Sequence, residues 1–192
     1  MQTTEINHLF FLKTIYLSAL FAYAFLSADA QFDKNVENHQ VQIGLPMPSI
    51  LYEKGISKNT TLSIEAITGL WIRGCSDCQT DFGVYPILRG QYRYYYNMRR
   101  RLDKKKNISG NSGNYISALL AHQSGNPIIG NLENASNTLI AGPVYGIQRT
   151  YRRGFFYRLE GGIAYIEEDF ASGIGPILAA RIGWVIRKRR LR

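Results

Sequence analysis

The sequence predicts an all-β fold, an eight-stranded antiparallel up-and-down transmembrane β-barrel, from three observations. Residues 155–165 carry apolar or small side chains at odd positions and a second set, including Arg158 and Glu160, at even positions, as a two-faced strand does. Residues 139–147 alternate in the same way, and a short polar turn at 152–154 joins the two strands as a hairpin. The charges share the narrower face, which is the reverse of what a soluble sandwich with an apolar core requires.

Six further segments repeat this alternation and complete the predicted barrel. In chain order they are residues 41–45, 50–54, 60–73, 83–97, 115–123 and 176–186. Eight is an even number, as a single-chain barrel of this kind needs, and it places both ends of the barrel domain on the same side. The first two strands are short and are separated only by a proline-containing break at 46–48, so one bent strand is the alternative and would leave seven.

Residues 1–30 differ from the rest and are typical of a cleaved signal peptide. A lysine precedes an apolar run at 15–26, and Ala28 and Ala30 form a small-x-small cleavage site. The alternative is an uncleaved membrane anchor, but the apolar run is well short of the roughly 20 residues that a spanning helix needs. We therefore expect an exported chain with a signal peptide at 1–30 and a barrel domain with a basic C-terminal tail at 31–192.

The barrel domain is strongly basic. Its formal charge is +10 once the one basic and two acidic side chains of the signal peptide are removed from the 23 basic and 14 acidic ones. The excess lies in clusters at 99–106, 149–153 and 187–192. Such clusters can bind nucleic acid, but an exported chain meets little of it, so we expect anionic lipid headgroups or cell-wall polymers instead. Solvated turns are the simpler alternative, because runs of charge usually face water.

The two cysteines of the chain, Cys75 and Cys78, form a C-x-x-C spacing in a polar loop. In a cytosolic chain this spacing would indicate redox chemistry or half of a zinc site. With export expected and no second cysteine pair, a local disulfide between the two is favoured. No other spacing of potential ligands predicts a metal or a cofactor, and none is expected.

The polar faces of the predicted strands collect a nearly balanced set of charges. The three acidic and four basic side chains are Glu53, Glu65, Arg89, Arg93, Arg158, Glu160 and Arg181. An eight-stranded barrel is just wide enough to be filled by side chains, and buried charges are tolerated only when they are paired. We therefore expect a lumen charge network that plugs the barrel and leaves no open pore. A soluble β protein with one solvated polar face is the alternative.

Aromatic side chains gather at the strand ends that lie on the side of the two termini. This predicted girdle consists of Tyr52, Tyr92, Tyr94, Tyr96, Tyr151, Phe155, Tyr157 and Trp184. Rings of this kind mark the interface between a membrane and water. The opposite girdle is thinner, with Trp71 and Tyr165 as its candidates.

With these residues in view, the chain resembles the small outer-membrane β-barrel proteins of Gram-negative bacteria, of the OmpA transmembrane-domain and OmpX kind. It is most similar to an uncharacterised barrel family, through the short motifs Tyr52-Glu53, Arg93-Tyr94-Tyr95-Tyr96 and Gly142-Pro143-Val144-Tyr145-Gly146. The resemblance implies an outer-membrane location, a monomer, and outer-membrane lipids and the barrel-assembly machinery as partners. Members of this class commonly end on an aromatic residue, whereas this chain continues past Trp184 into a basic tail.

The sequence predicts no enzymatic activity. The leading hypothesis is a structural or interaction role carried by the loops at 74–82 and 124–136. A second hypothesis is a lipid-modifying barrel enzyme that uses His122, which has Ser117 and Ser124 near it in sequence. A third is a soluble, secreted, lipocalin-like barrel that binds an apolar ligand between inward-pointing aromatic side chains.

Overall fold

The computed structural model describes residues 34–74, 81–130, 132 and 136–187. Three of the sequence predictions fall outside these ranges and stay predictions: the signal peptide at 1–30, the disulfide between Cys75 and Cys78, and the tail beyond residue 187. Within the described part of the chain, no helix is long and apolar enough to cross a membrane.

Nine strands form one antiparallel sheet in the described residues. They are β1 His39–Leu45, β2 Ser49–Gly55, β3 Thr60–Arg73, β4 Asp81–Tyr94, β5 Asn114–Gln123, β6 Ile129–Gly130, β7 Thr138–Thr150, β8 Phe155–Glu168 and β9 Ala171–Arg187. The short β6 only adds to the end of β4. The other eight strands close into a barrel, because β3 pairs with β4 as well as with β2 and β1 pairs with β9. The predicted eight-stranded antiparallel barrel is therefore confirmed.

The barrel has two distinct ends. We call the end where β1 begins and β9 finishes the proximal end, and the opposite one the distal end. The turns at 56–59 and 151–154 and the connection at 95–113 lie at the proximal end. The β1–β2 turn, the β5–β7 connection and the Asp169–Phe170 turn lie at the distal end, so the two ends differ in how they are covered.

The structure settles the alternative left open for the first two strands, and several strand boundaries differ from the prediction. β1 and β2 pair as a separate antiparallel hairpin, which excludes a single bent strand. β4 ends at Tyr94 and does not reach Asn97. β9 begins at Ala171 and not at residue 176, because Gly173 stays in register opposite Ile166 of β8. Glycine marks many turns, but here a continuous ladder of backbone hydrogen bonds outweighs its preference for one.

The composition of residues 98–114, rich in Arg, Lys, Asn, Ser and Gly, predicts a connection that cannot pack, and this prediction is wrong. The connection, residues 95–113 in the structure, packs against the barrel end. It contains a short helix, α1 Met98–Asp103, and its side chains Tyr95, Met98 and Ile108 are buried together with Val36 and Tyr115. These few apolar side chains enter the barrel end, while the surrounding basic residues remain outside. We call residues 34–38 and 95–113 the proximal cap, since together they cover that end of the barrel.

Gly110 holds the proximal cap onto the barrel wall. Its N–H donates to Glu37 Oε1 at 2.8 Å, and its carbonyl accepts from Gln148 Nε2 at 2.8 Å and from Thr150 Oγ1 at 2.9 Å. Its φ is +65°, which L side chains rarely adopt, and an added Cβ would lie 2.8 Å from Thr150 Cγ2. Both the conformation and the space require glycine at this position.

Replacing Gly110 with alanine should loosen the proximal cap. We expect Gly110→Ala to lower the free energy of unfolding by about 1–3 kcal/mol, because it adds a steric clash to a strained φ. The measurement is urea unfolding of the refolded chain, followed by tryptophan fluorescence. Gly173→Ala is the matched control, since nothing lies within 4 Å of a Cβ at Gly173. Equal losses in the two variants would contradict the role given to Gly110.

The barrel interior as the candidate functional site

Strand alternation alone directs the seven predicted lumen residues inward. On β2, β3, β4 and β9 the odd-numbered side chains face the lumen, and on β1, β7 and β8 the even-numbered ones do. Glu53, Glu65, Arg89, Arg93, Arg158, Glu160 and Arg181 are all buried. Antiparallel pairing then brings them within reach of one another across the lumen, as three successive layers from the proximal to the distal end.

The proximal layer is built around Glu53. Its carboxylate accepts hydrogen bonds from Thr61 Oγ1 at 2.5 Å, from Tyr95 Oη at 2.9 Å and from Gln40 Nε2. Arg93 Nη1 lies 3.4 Å from Glu53 Oε2. The charge of this fully buried carboxylate is therefore balanced by one guanidinium and three neutral donors.

The middle layer joins Arg93 to Glu160 through an aromatic ring. The Arg93 guanidinium lies 5.0 Å from the centroid of the Tyr115 ring, a cation–π distance. The Tyr115 hydroxyl donates to Glu160 Oε1 at 2.6 Å. Gly146 on β7 leaves the space that the Tyr115 ring occupies, because a Cβ at Gly146 would overlap that ring. The glycine is thus explained by close packing inside the lumen.

The distal layer centres on Glu65, which meets three arginines. Its Oε1 accepts from Arg158 Nη2 at 2.6 Å and from Arg181 Nε at 3.0 Å, and its Oε2 lies 3.7 Å from Arg89 Nη1. Arg89 also reaches Glu160, with its Nη2 2.7 Å from Oε2. One carboxylate thus serves three guanidinium groups, and this layer carries a local excess of positive charge.

Buried side chains that the sequence analysis did not single out complete the network. They are Tyr95, Tyr115, Gln40, Gln42, Gln91 and Gln148. Each occupies an inward position by strand alternation, or directly continues it, so the pattern contains the signal that places them. The pattern gives no reason to single them out, because a buried charge requires a partner of opposite sign, whereas tyrosine and glutamine are neutral.

The structure places the predicted proximal girdle on the outer surface at the proximal end. Tyr52, Tyr92, Tyr94, Tyr96, Tyr151 and Trp184 are exposed, and Phe155 and Tyr157 are half-buried. Neighbouring rings contact each other, as Phe155 and Trp184 do with centroids 5.8 Å apart. Tyr145, which was not predicted, joins them through its hydroxyl, 3.1 Å from that of Tyr96.

Of the side chains named for a lipid-modifying enzyme, His122 and Ser117 lie on opposite faces of β5, whereas Ser124 lines the same surface hollow as His122. His122 is exposed on the outer face of β5, whereas Ser117 is buried on the inner face and donates to the Val144 carbonyl at 3.4 Å. A nucleophile and its base must lie within hydrogen-bond reach, and two faces of a strand separate these two residues. Among the described residues there is also no group of three or more potential metal ligands.

Two of the basic clusters meet at the proximal end. Arg101 donates to the Asn107 carbonyl at 2.8 Å, and Arg149 donates to the Gly113 carbonyl at 2.9 Å, so both help to fasten the proximal cap. Partial burial, and then the neighbouring Arg149 guanidinium, lower the pKa of Arg101 below its ordinary value. The other basic side chains of α1 are mostly exposed and give this end a positive surface.

Comparisons of the chain with protein-family models, with curated proteins and with solved structures each found no match. The interior network and the outer surface of the barrel are therefore the features from which a function is inferred.

Removing the central carboxylate of the distal layer should strongly destabilise the barrel. We expect Glu65→Gln to lower the free energy of unfolding by about 3–5 kcal/mol, because it leaves Arg158 and Arg181 buried without their shared partner. The measurement is urea unfolding monitored by tryptophan fluorescence. Glu168→Gln, which changes an exposed carboxylate at the distal end of β8, is the control and should have little effect.

A double variant tests whether the effect comes from pairing. Adding Arg158→Gln to Glu65→Gln should recover part of the lost stability, since it removes one of the unpaired charges. Purely additive losses would contradict a shared buried network.

Proposed function

We propose that this chain is a small integral outer-membrane β-barrel protein with a structural or interaction role, similar to the OmpA and OmpX class, and that it is neither an open pore nor an enzyme. The observation that carries this proposal is an apolar outer surface around a charged interior. Large apolar side chains are exposed on all eight barrel strands. They include Ile43, Ile50, Leu62, Ile64, Leu88, Ile116, Leu120, Leu139, Leu159, Ile163, Leu178 and Ile182, which we call the outer belt.

The outer belt has the height of a membrane. On β8 it runs from Phe155 at the proximal end to the exposed Tyr165 near the distal end, ten residues further on. At about 3.4 Å per residue and a tilt of about 40°, this length spans roughly 26 Å, close to the apolar band of about 25 Å on outer-membrane barrels. Aromatic rings at both of its limits match the girdles of such proteins.

Charge is distributed as a bilayer would require. In the described strands, the outward positions between the two girdles carry no Asp, Glu, Lys or Arg. The outward charges lie at or beyond the girdles, as Lys54 and Arg149 do at the proximal end and Glu167 does at the distal end. A soluble monomer rarely exposes a continuous apolar patch of more than a few hundred Å², and here the apolar surface surrounds the barrel. Lipid chains are the partner that this surface fits.

The interior supports a closed barrel. The buried network fills the lumen between β2, β3, β4 and β8, and the proximal cap covers one end of it. With the termini in the periplasm, the distal segments would face outward and carry any recognition. The described parts of the two loops named for this role, 74–82 and 124–136, lie at that end. Insertion by the barrel-assembly machinery and a monomeric state belong to the same proposal.

The eight-stranded fold by itself is equally consistent with a soluble, lipocalin-like barrel. The first test is therefore heat modifiability of the exported protein on a denaturing gel, combined with fractionation of the membranes. We expect the protein in the outer-membrane fraction, with a band that migrates faster before boiling than after it. A soluble protein whose mobility is unchanged by boiling would contradict the membrane proposal.

A charged substitution in the outer belt should reveal what the belt contacts. We expect Leu159→Arg to lower the free energy of unfolding from vesicles by about 2–4 kcal/mol, since it puts a charge near the middle of the bilayer. Leu159 is 49% exposed, so in water the same change should cost within about 0.5 kcal/mol. Ile174→Arg is the control, because Ile174 pairs with Tyr165 at the distal girdle, where the cost falls to about 0–1 kcal/mol. Equal, small losses in both variants would mean that lipid does not cover the belt.

A further inference from the structure

The barrel wall is shorter on the side formed by β1 and β2 than elsewhere. β1 and β2 have 7 residues each, whereas β3 has 14 and β9 has 17. β1 stops pairing with β9 where Leu45 meets Ile182, so residues 171–181 of β9 pair with β8 alone. On the other side, β2 stops pairing with β3 where Ser49 meets Ile67. On the distal side of the β1–β2 turn the wall therefore has a gap between β9 and β3, which we call the wall gap.

A cavity of about 250 Å³ lies inside the barrel on the distal side of the charge network. Its walls are apolar and include Ile67, Ile87, Leu119, Ile140, Val144 and Ile177. Leu178, on the outward face of β9, lines the same cavity as its inward-facing neighbours Ile177 and Ala179. The lining thus includes β9 on one side of the wall gap and Ile67 of β3 on the other, so the cavity opens towards the gap.

Arg89, Arg181 and Glu160 form the floor of this cavity. Arg181 is only 8% exposed, and the hydrogen bonds of the described residues engage its Nε alone, with Glu65. Its two terminal nitrogens donate to no described residue, and the side chain lines the cavity, so these donors are available to an acceptor there.

The local charge balance favours an anion as that acceptor. Glu65 is shared by Arg89, Arg158 and Arg181, while Glu160 is also approached by Arg93 and Tyr115. The other two buried acids of the described residues lie towards the proximal end, where Glu53 pairs with Arg93 and Glu37 accepts from Gly110, so neither neutralises the distal layer. The floor therefore combines excess positive charge with apolar walls, which is the chemistry of an amphiphile site.

We propose that this cavity binds a single-chain alkyl carboxylate, with its carboxylate on Arg181 and Arg89 and its chain along the apolar walls towards the wall gap. At about 30 Å³ for each small group, the cavity holds roughly eight heavy atoms, and the rest of the chain lies in the gap. A neutral hydrocarbon would leave the donors of Arg181 unpaired, and one chain of about eight heavy atoms already fills the cavity, which leaves no room beside it for a second acyl chain. The site goes beyond the proposed function and holds whether lipid or water surrounds the barrel.

Photo-crosslinking tests the site directly. The probe is dodecanoic acid with a mid-chain diazirine, added to the full folded chain in phosphatidylcholine vesicles, and its methyl ester is the neutral matched probe. We expect the acid to label the cavity walls, at positions such as Ile140 and Ile177, and unlabelled dodecanoic acid to compete. The ester should need at least about tenfold higher concentration, because it lacks the charge that Arg181 pairs with. Equal labelling by acid and ester, spread over the outer belt, would overturn the proposal.

Two variants separate the head and chain contacts. Arg181→Met should weaken labelling by the acid at least about tenfold and bring it close to that of the ester. Ala179→Leu fills the cavity while keeping the floor, and it should abolish labelling of the walls. Arg153→Met, which removes a charge from the exposed proximal turn, is the control and should label normally. Unboiled gel mobility reports folding separately, and if Arg181→Met does not fold, undiminished wall labelling of Ala179→Leu would itself exclude the site.

Discussion

Glu65 is the carboxylate on which the interior of the barrel depends. Three guanidinium groups, from β4, β8 and β9, converge on it from different sides of the lumen. Each of those arginines is buried, and an arginine keeps its positive charge inside a protein. The three strands that carry these arginines must therefore lie around one acceptor. Because ion pairs need particular atoms at particular distances, this requirement fixes the relative positions of the strands more specifically than apolar contacts would.

The network also explains the asymmetry between the two ends of the barrel. Towards the proximal end each charge has partners at hydrogen-bond distance, and the proximal cap adds tyrosine hydroxyls and an apolar cluster. Towards the distal end the partners become fewer, inward glycines and isoleucines replace polar side chains, and the wall itself becomes incomplete. The barrel is thus tightly packed in one half and open in the other, and the boundary between the halves is the layer of Arg89 and Arg181.

Strand alternation was enough to predict the fold and to place the charges on the inner face. A period of two needs only local sequence, and a charge on the minority face of a strand must face inward if the other face is apolar. The proximal cap escaped prediction because, beyond Tyr95, which continues the alternation of β4, its buried side chains Met98 and Ile108 follow no period and are separated by basic residues. These side chains are buried only because the connection lies across the proximal end of the closed barrel, which a local pattern does not show. The cavity depends likewise on the unequal lengths of β1 and β9, which matter only once the barrel is closed.

The pairing of β1 with β9 also orders events during folding. It joins Val41 to Arg187, so the ring cannot close until nearly the whole chain is present. Until β9 has paired, β1 and β8 each have an unpaired edge, and such edges are templates for pairing with other chains. Contacts between residues so far apart in sequence form slowly. A chain of this design is therefore most exposed to aggregation between synthesis and closure, and it gains from being kept apart from its copies during that interval.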